Sequence, residues 1–181
     1  MLRRRRPSTG FNMIEVLTVV TVLGVVIAIG APAMGEYLQN QQIRVAGDAI
    51  TNGYQLARAE AIRRNTPVQM ALGPGTRWTV KEVSGADIQT RSEQEGSKNA
   101  TIETVPGGTS IVTFTSLGGV SAKNGDGSAR LENVEIRNPG AGACQHAVPA
   151  GPMRCLKVVV TGGGSVRMCD PALSSPDPRA C

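Results

Sequence analysis

Thr9 to Ala33 reads "TGFNMIEVLTVVTVLGVVIAIGAPA", and the architecture of the whole chain turns on how this stretch is interpreted. Met13 to Ala33 is an apolar run of 21 positions, about 30 Å long as an α-helix and so matched to the hydrocarbon core of a bilayer. The arginines Arg3–Arg6 precede it and no basic residue directly follows, a bias that places the N-terminus in the cytoplasm. Thr18 and Thr21 can bond back to the helix, Gly24 and Gly30 permit close helix approach, and Pro32 is expected to kink or loosen the far end. One residue resists this plain reading. Glu15 puts a carboxylate at the mouth of the run, where a charge costs about 2.5–3.5 kcal/mol and is usually kept for a function.

Two ordinary interpretations leave Glu15 without a role. A secretory signal peptide fits "APA" at Ala31–Ala33 as an A-x-A cleavage site, and cleavage after Ala33 would release a secreted soluble β protein. A simple one-pass anchor fits the length equally well. A third interpretation comes from resemblance. "TGFNMIEVL", Thr9–Leu17, resembles the type IV prepilin motif, with Gly10 before the cut, Phe11 as the new N-terminus and Glu15 as the fifth mature residue. The resemblance implies a prepilin peptidase that removes the leader, residues 1–10, and N-methylates Phe11. It also implies that the apolar segment, residues 11–33, is retained in the inner membrane and later packs against other pilins or pseudopilins in a filament. Glu15 then has a physical purpose: its carboxylate pairs with the Phe11 ammonium of a neighbouring subunit. Losing one partner of such a buried pair costs about 3–5 kcal/mol.

Beyond the membrane segment the helical pattern continues in a different register of polarity. Ile43, Ala46, Ile50, Gly53, Ala57 and Ala61 recur at three- and four-residue steps, a narrow apolar stripe for residues 34–66. Gln42, Asp48, Gln55 and Arg63 lie off it, and Glu60 with Arg64 forms a correctly oriented i,i+4 pair. Pro67 stops the helix. Residues 67–181 carry β signals, with strands expected near 68–72, 78–83, 101–105, 110–116, 131–137, 155–161 and 165–169. Turn-formers such as "GPG", "LGG", "NGDG" and "GGG" separate them. The polar segment "SGADIQTRSEQEGSKNA", residues 84–100, reads as a solvated loop. The fold class is therefore α+β: a long kinked N-terminal helix, transmembrane in its first half, packed on a small antiparallel β domain.

The resemblance extends further. "YQLARAEAIRRNTPVQM" (Tyr54–Met70), "TFTSLGGV" (Thr113–Val120) and "VRMCDP" (Val166–Pro171) look like segments of the GspH/FimT group of pseudopilins and minor pilins. That group implies one of two settings, the pseudopilus of type II secretion or a type IV pilus, and for FimT-like members DNA binding during uptake. The DNA-binding segment expected from the resemblance is Gly-Arg-x-Arg before Cys-Asp-Pro. Here Gly164, Ser165, Val166 and Arg167 occupy it, so serine replaces the first arginine and offers one uncharged hydroxyl. Arg154, Lys157 and Arg179 are the bases that could compensate beside Arg167.

Charge supports only a local version of that idea. The net charge of +5 is mostly the leader's; without Arg3–Arg6, 15 basic face 14 acidic side chains. From Arg137 onward, however, five bases stand against Asp170 and Asp177 alone. Cys144, Cys155, Cys169 and Cys181 all fall in this region, and an even count behind an export-type N-terminus suggests two disulfides. Three pairings exist; the sequential one closes the shortest loops, with Cys169–Cys181 tying the proline-rich tail and Cys144–Cys155 the preceding loop. A metal site with His146 is the rival, but no CxxC spacing is present. "KNGDGSAR" lacks the key acids of a calcium loop and reads as a hairpin turn; "GGGS" is no nucleophile elbow. No catalytic set, cofactor or metal is read from the sequence, which points to a structural and interaction protein and not to an enzyme.

Overall fold

The computed structural model describes residues 10–181, so the arginine leader Arg3–Arg6 lies outside the described residues. The chain divides into two compact units between Gly35 and Glu36. One helix, α1 (Met13–Arg64), contributes to both. In the first unit Asn12 starts it: its carbonyl accepts from the Glu15 and Val16 amides at 3.0 and 3.2 Å, and its side-chain oxygen accepts weakly from the Ile14 amide at 3.5 Å. Thr18 and Thr21 bond back to the carbonyls of Glu15 and Leu17, hiding their hydroxyls from an apolar surround. Met13–Ala31 is long and apolar enough to cross a membrane.

In the second unit the apolar stripe is buried as the spacing requires. Ile43, Ala46, Ile50, Ala57 and Ala61 are all 0 % exposed, and Gly53 is buried between them. Small residues let the sheets come close. A Cβ on Gly53 would sit 2.8 Å from Met70 Cε, and one on Gly47 would collide with Met168 Sδ. Asn65, at φ +53°, ends the helix. Its amide bonds the Ile62 carbonyl and the Thr66 amide bonds that of Ala61, a left-handed C-cap satisfying carbonyls that Pro67 could not serve.

Eight strands follow: β1 (Val68–Leu72), β2 (Trp78–Glu82), β3 (Asp87–Arg91), β4 (Thr101–Val105), β5 (Ile111–Phe114), β6 (Asn133–Arg137), β7 (Leu156–Val160) and β8 (Val166–Cys169). They form two four-stranded antiparallel sheets, ordered β3-β2-β1-β5 and β4-β6-β7-β8. The Leu131 amide bonds the Ile111 carbonyl at 3.2 Å and the Val120 amide bonds that of Gly162 at 2.9 Å, linking segments beside one sheet to the other. A continuous core of Ile, Val, Leu, Ala and Met fills the space between sheets and helix, with Tyr54 and Phe114 at 6.4 Å between ring centroids.

One expectation needs correction. Residues 84–100 are not wholly loop, since Asp87–Arg91 forms an edge strand on β2 with Trp78 opposite Arg91 and Thr79 opposite Thr90. Only Ile88 among its residues is apolar, because this strand is held by ladder bonds at an edge and not by a buried face. "NGDG" is a tight turn: Lys123 bridges Ala129, and buried Asn124 serves Thr113, Ile111, Ser128 and Ala129 at once.

Candidate functional site

Gly10, Phe11 and Glu15 lie together at the start of α1. Phe11 is 83 % exposed and Glu15 lies in the first helical turn, also exposed. Asn12 initiates the helix just after Phe11, so the peptide bond between Gly10 and Phe11 sits outside it. The side chains from Met13 to Ile29 that bear large apolar groups are all at least half exposed. Such a surface must be covered by something apolar.

The C-terminal cations are arranged by β7, β8 and the tail. Lys157 and Arg167 project from the same face of the second sheet, because Lys157 registers with Cys169 and Val159 with Arg167. That face also carries Glu135, which registers with Lys157, and Glu103, which registers with Glu135. Glu135 gathers the local charge: Arg137 lies at 2.7 Å, His146 at 3.4 Å and Lys157 at 3.9 Å. Arg154 Nε donates to the buried Asp170 carboxylate at 2.6 Å. Arg179 grips Asp177 with two bonds, 3.1 and 2.9 Å, and that guanidinium holds the Asp177 carboxyl down to about 2. Arg167 donates to the Cys181 carbonyl at 3.2 Å.

The four expected cations are therefore not brought together as one free basic patch. Arg154, Lys157 and Arg179 each face a side-chain carboxylate, and Arg167 bonds the main-chain oxygen of Cys181. Arg154, Arg179 and Asp170 line a cleft of about 490 Å³ that also contains Arg44 and Tyr37. Trp78 and Phe114, the β-domain aromatics, are 3 % and 0 % exposed, so neither can stack on a base. The acids that neutralise the patch were visible in sequence only as isolated letters; the β6–β7 register is what carries Glu135 to Lys157.

The cysteines form Cys144–Cys155 and Cys169–Cys181, spanning 11 and 12 residues. Cys144 lies near His146 and Glu135, but its sulfur is committed to a disulfide, so this cluster lacks the thiolate that a metal would need. The tail is tied by more than the disulfide. Beside the disulfide, the Asp170 amide bonds the Arg179 carbonyl at 2.7 Å.

An apolar N-terminal helix continued by an amphipathic half that packs on antiparallel sheets is the type IV pilin fold. A family profile described as "Type II transport protein GspH" matches residues 46–170, and the chain belongs to that family, whose members are structural and not catalytic. Two crystal forms of the type IV minor pilin FimU from Pseudomonas aeruginosa (strain PAO1) share the fold. One is 13 % identical with a TM-score of 0.56, covering 78 % of this chain and 97 % of FimU. The other is 14 % identical with a TM-score of 0.51, covering 74 % and 97 %. At such identity the likeness shows the fold alone. No curated protein matches the sequence. Family and apolar helix together indicate anchoring in a membrane.

Proposed function

We propose that the protein is a minor pilin or pseudopilin, cleaved between Gly10 and Phe11, N-methylated at Phe11, and built into a type IV pilus or type II secretion pseudopilus through its N-terminal helix. The supporting observation is the pairing of an exposed Phe11 and an exposed Glu15 at the head of a helix whose apolar side chains have no cover. A neighbouring subunit supplies both needs: apolar surface for the helix flank and an ammonium for the carboxylate. The β domain stands in the periplasm, or outside the cell once in the filament. Its ladder and core make it a rigid head while the helix makes the contacts.

The DNA-uptake role rests on Arg167 with Arg154, Lys157 and Arg179. Three of the four already face a carboxylate, so the geometry favours the filament role. Intact mass of the protein taken from membranes tests the reading: residues 1–10 should be missing and one methyl gained. A chain beginning at Met34 would instead establish a secreted protein released after Ala33. In the same membranes Glu15→Ala should leave the β domain folded and abolish incorporation into sheared filaments, since a lone buried ammonium costs about 3–5 kcal/mol. Normal incorporation of that variant defeats the acid–amine contact.

A further inference from the structure

Two glycine turns stack on each other in the β domain. The first, Thr115–Gly119, closes through the Gly118 amide on the Thr115 carbonyl and the Thr115 amide on the Gly119 carbonyl, both 2.8 Å. The second, Thr161–Ser165, closes through the Gly164 amide on the Thr161 carbonyl and the Thr161 amide on the Ser165 carbonyl, both 2.9 Å. The Val120 amide joins them by donating to the Gly162 carbonyl. Gly118 and Gly164 both have left-handed φ, +79° and +78°. A Cβ on Gly164 would overlap the Gly118 carbonyl oxygen. Bare backbone is therefore obligatory here.

Two guanidinium groups border these turns, Arg58 at the buried Gly118–Gly164 contact and Arg130 beside the exposed Gly162. Arg58, from the helix, lies against both turns: Cβ atoms on Gly118 and Gly164 would be 3.1 and 3.2 Å from its Nε. That Nε is buried and has no hydrogen-bond partner, a costly condition for a charged donor. Arg130 reaches the other turn, its Nη1 lying 3.0 Å from where a Gly162 Cβ would be. Among the described residues neither arginine forms an ion pair, in contrast to Arg154 and Arg179. Neither turn contains an acidic residue. The Gly162 and Gly163 amides make no hydrogen bond to the protein among the described residues, and both glycines are exposed.

We propose that the stacked turns form a binding site for a phosphate-type oxyanion, held between Arg58 and Arg130 with the Gly162 and Gly163 amides as neutral donors. Forked guanidinium donors match tetrahedral oxyanions, and successive amides in a turn with a left-handed residue form a concavity that favours negative charge. Lysine could supply the charge but not the fork. This site is independent of the filament reading and uses none of Arg154, Lys157, Arg167 or Arg179.

The test uses the full-length chain in non-ionic detergent, titrated at low salt with inorganic phosphate by calorimetry and with a short DNA duplex by fluorescence anisotropy. Phosphate should bind, and Arg130→Gln should weaken it roughly tenfold or more, as loss of a charge-assisted bond predicts. Arg58→Lys should weaken it less than Arg58→Gln, and Arg167→Ala should leave it unchanged. Arg130 is a loop residue, so its variant keeps the test informative even if Arg58→Gln fails to fold. Duplex affinity that falls in parallel in Arg130→Gln identifies a phosphodiester as the ligand; duplex binding indifferent to Arg130 identifies a free phosphate or monoester. Absence of phosphate binding, or an Arg130→Gln variant of native thermal stability that binds like the parent, overturns the site.

Discussion

Opening the Cys169–Cys181 bridge by Cys169→Ala with Cys181→Ala should destabilise the β domain by about 2.8 kcal/mol. The figure follows from the 12-residue separation and the entropy of closing such a loop in the unfolded chain. The Cys144–Cys155 bridge spans 11 residues, and the logarithmic dependence makes its expected contribution nearly the same. The native fold should survive, because the tail keeps the Asp170–Arg179 backbone bond and the bridge between Asp170 and Ala180. Trp78 is the sole tryptophan and is 3 % exposed, so its fluorescence reports unfolding of the β domain and not of the membrane helix. Urea titration of the full chain in detergent, with a slope of about 2 kcal/mol per molar, should show the midpoint falling by about 1.4 M. Each double variant should shift it by a similar amount. A shift below about 0.4 M in both would refute the reasoning, since it would mean that the unfolded chain gains almost no freedom when either loop is opened.

Two further outcomes follow from the packing and the ion pairs. Gly164→Ala should cost about 2 kcal/mol or more in the same titration, combining a left-handed backbone penalty of about 1–2 kcal/mol with collision against the Gly118 carbonyl; an unchanged midpoint would show that the two turns do not stack. Glu60 is held down to about 2 from 4.5, chiefly by its bond to Arg63 and next by its bond to Arg64. Its contribution is therefore complete above pH 4.5 and is lost as pH falls towards 2, because the unfolded carboxylate takes up the proton first. Glu60→Gln should flatten the acid limb of the stability profile in that window, and an acid limb identical to the parent's would rule the pair out as a contributor.

Local pattern alone determined much of this protein. The helical stripe from Ile43 to Ala61, the stop before Pro67 and strands such as Val68–Leu72 and Thr101–Val105 follow from periodicity and turn residues, which act within a few positions of sequence. The apolar run of the N-terminal helix was equally legible, since its residues are contiguous. Strand Asp87–Arg91 was not, because it is held mainly by hydrogen bonds to Trp78–Lys81 and its side chains, Ile88 apart, are polar. Which cysteines join was open among three pairings until the chain brought each pair into contact. Charge behaved the same way: a tally of bases from Arg137 onward suggested an open patch, but cross-strand register sets Glu135 beside Lys157, and folding of the tail sets Asp170 beside Arg154. Meanwhile Arg58 and Arg130, 72 positions apart in sequence, come against the same pair of glycine turns only when those turns stack. Periodicity is a short-range property and a sequence displays it directly; charge pairing and turn stacking depend on distances that only the folded backbone sets.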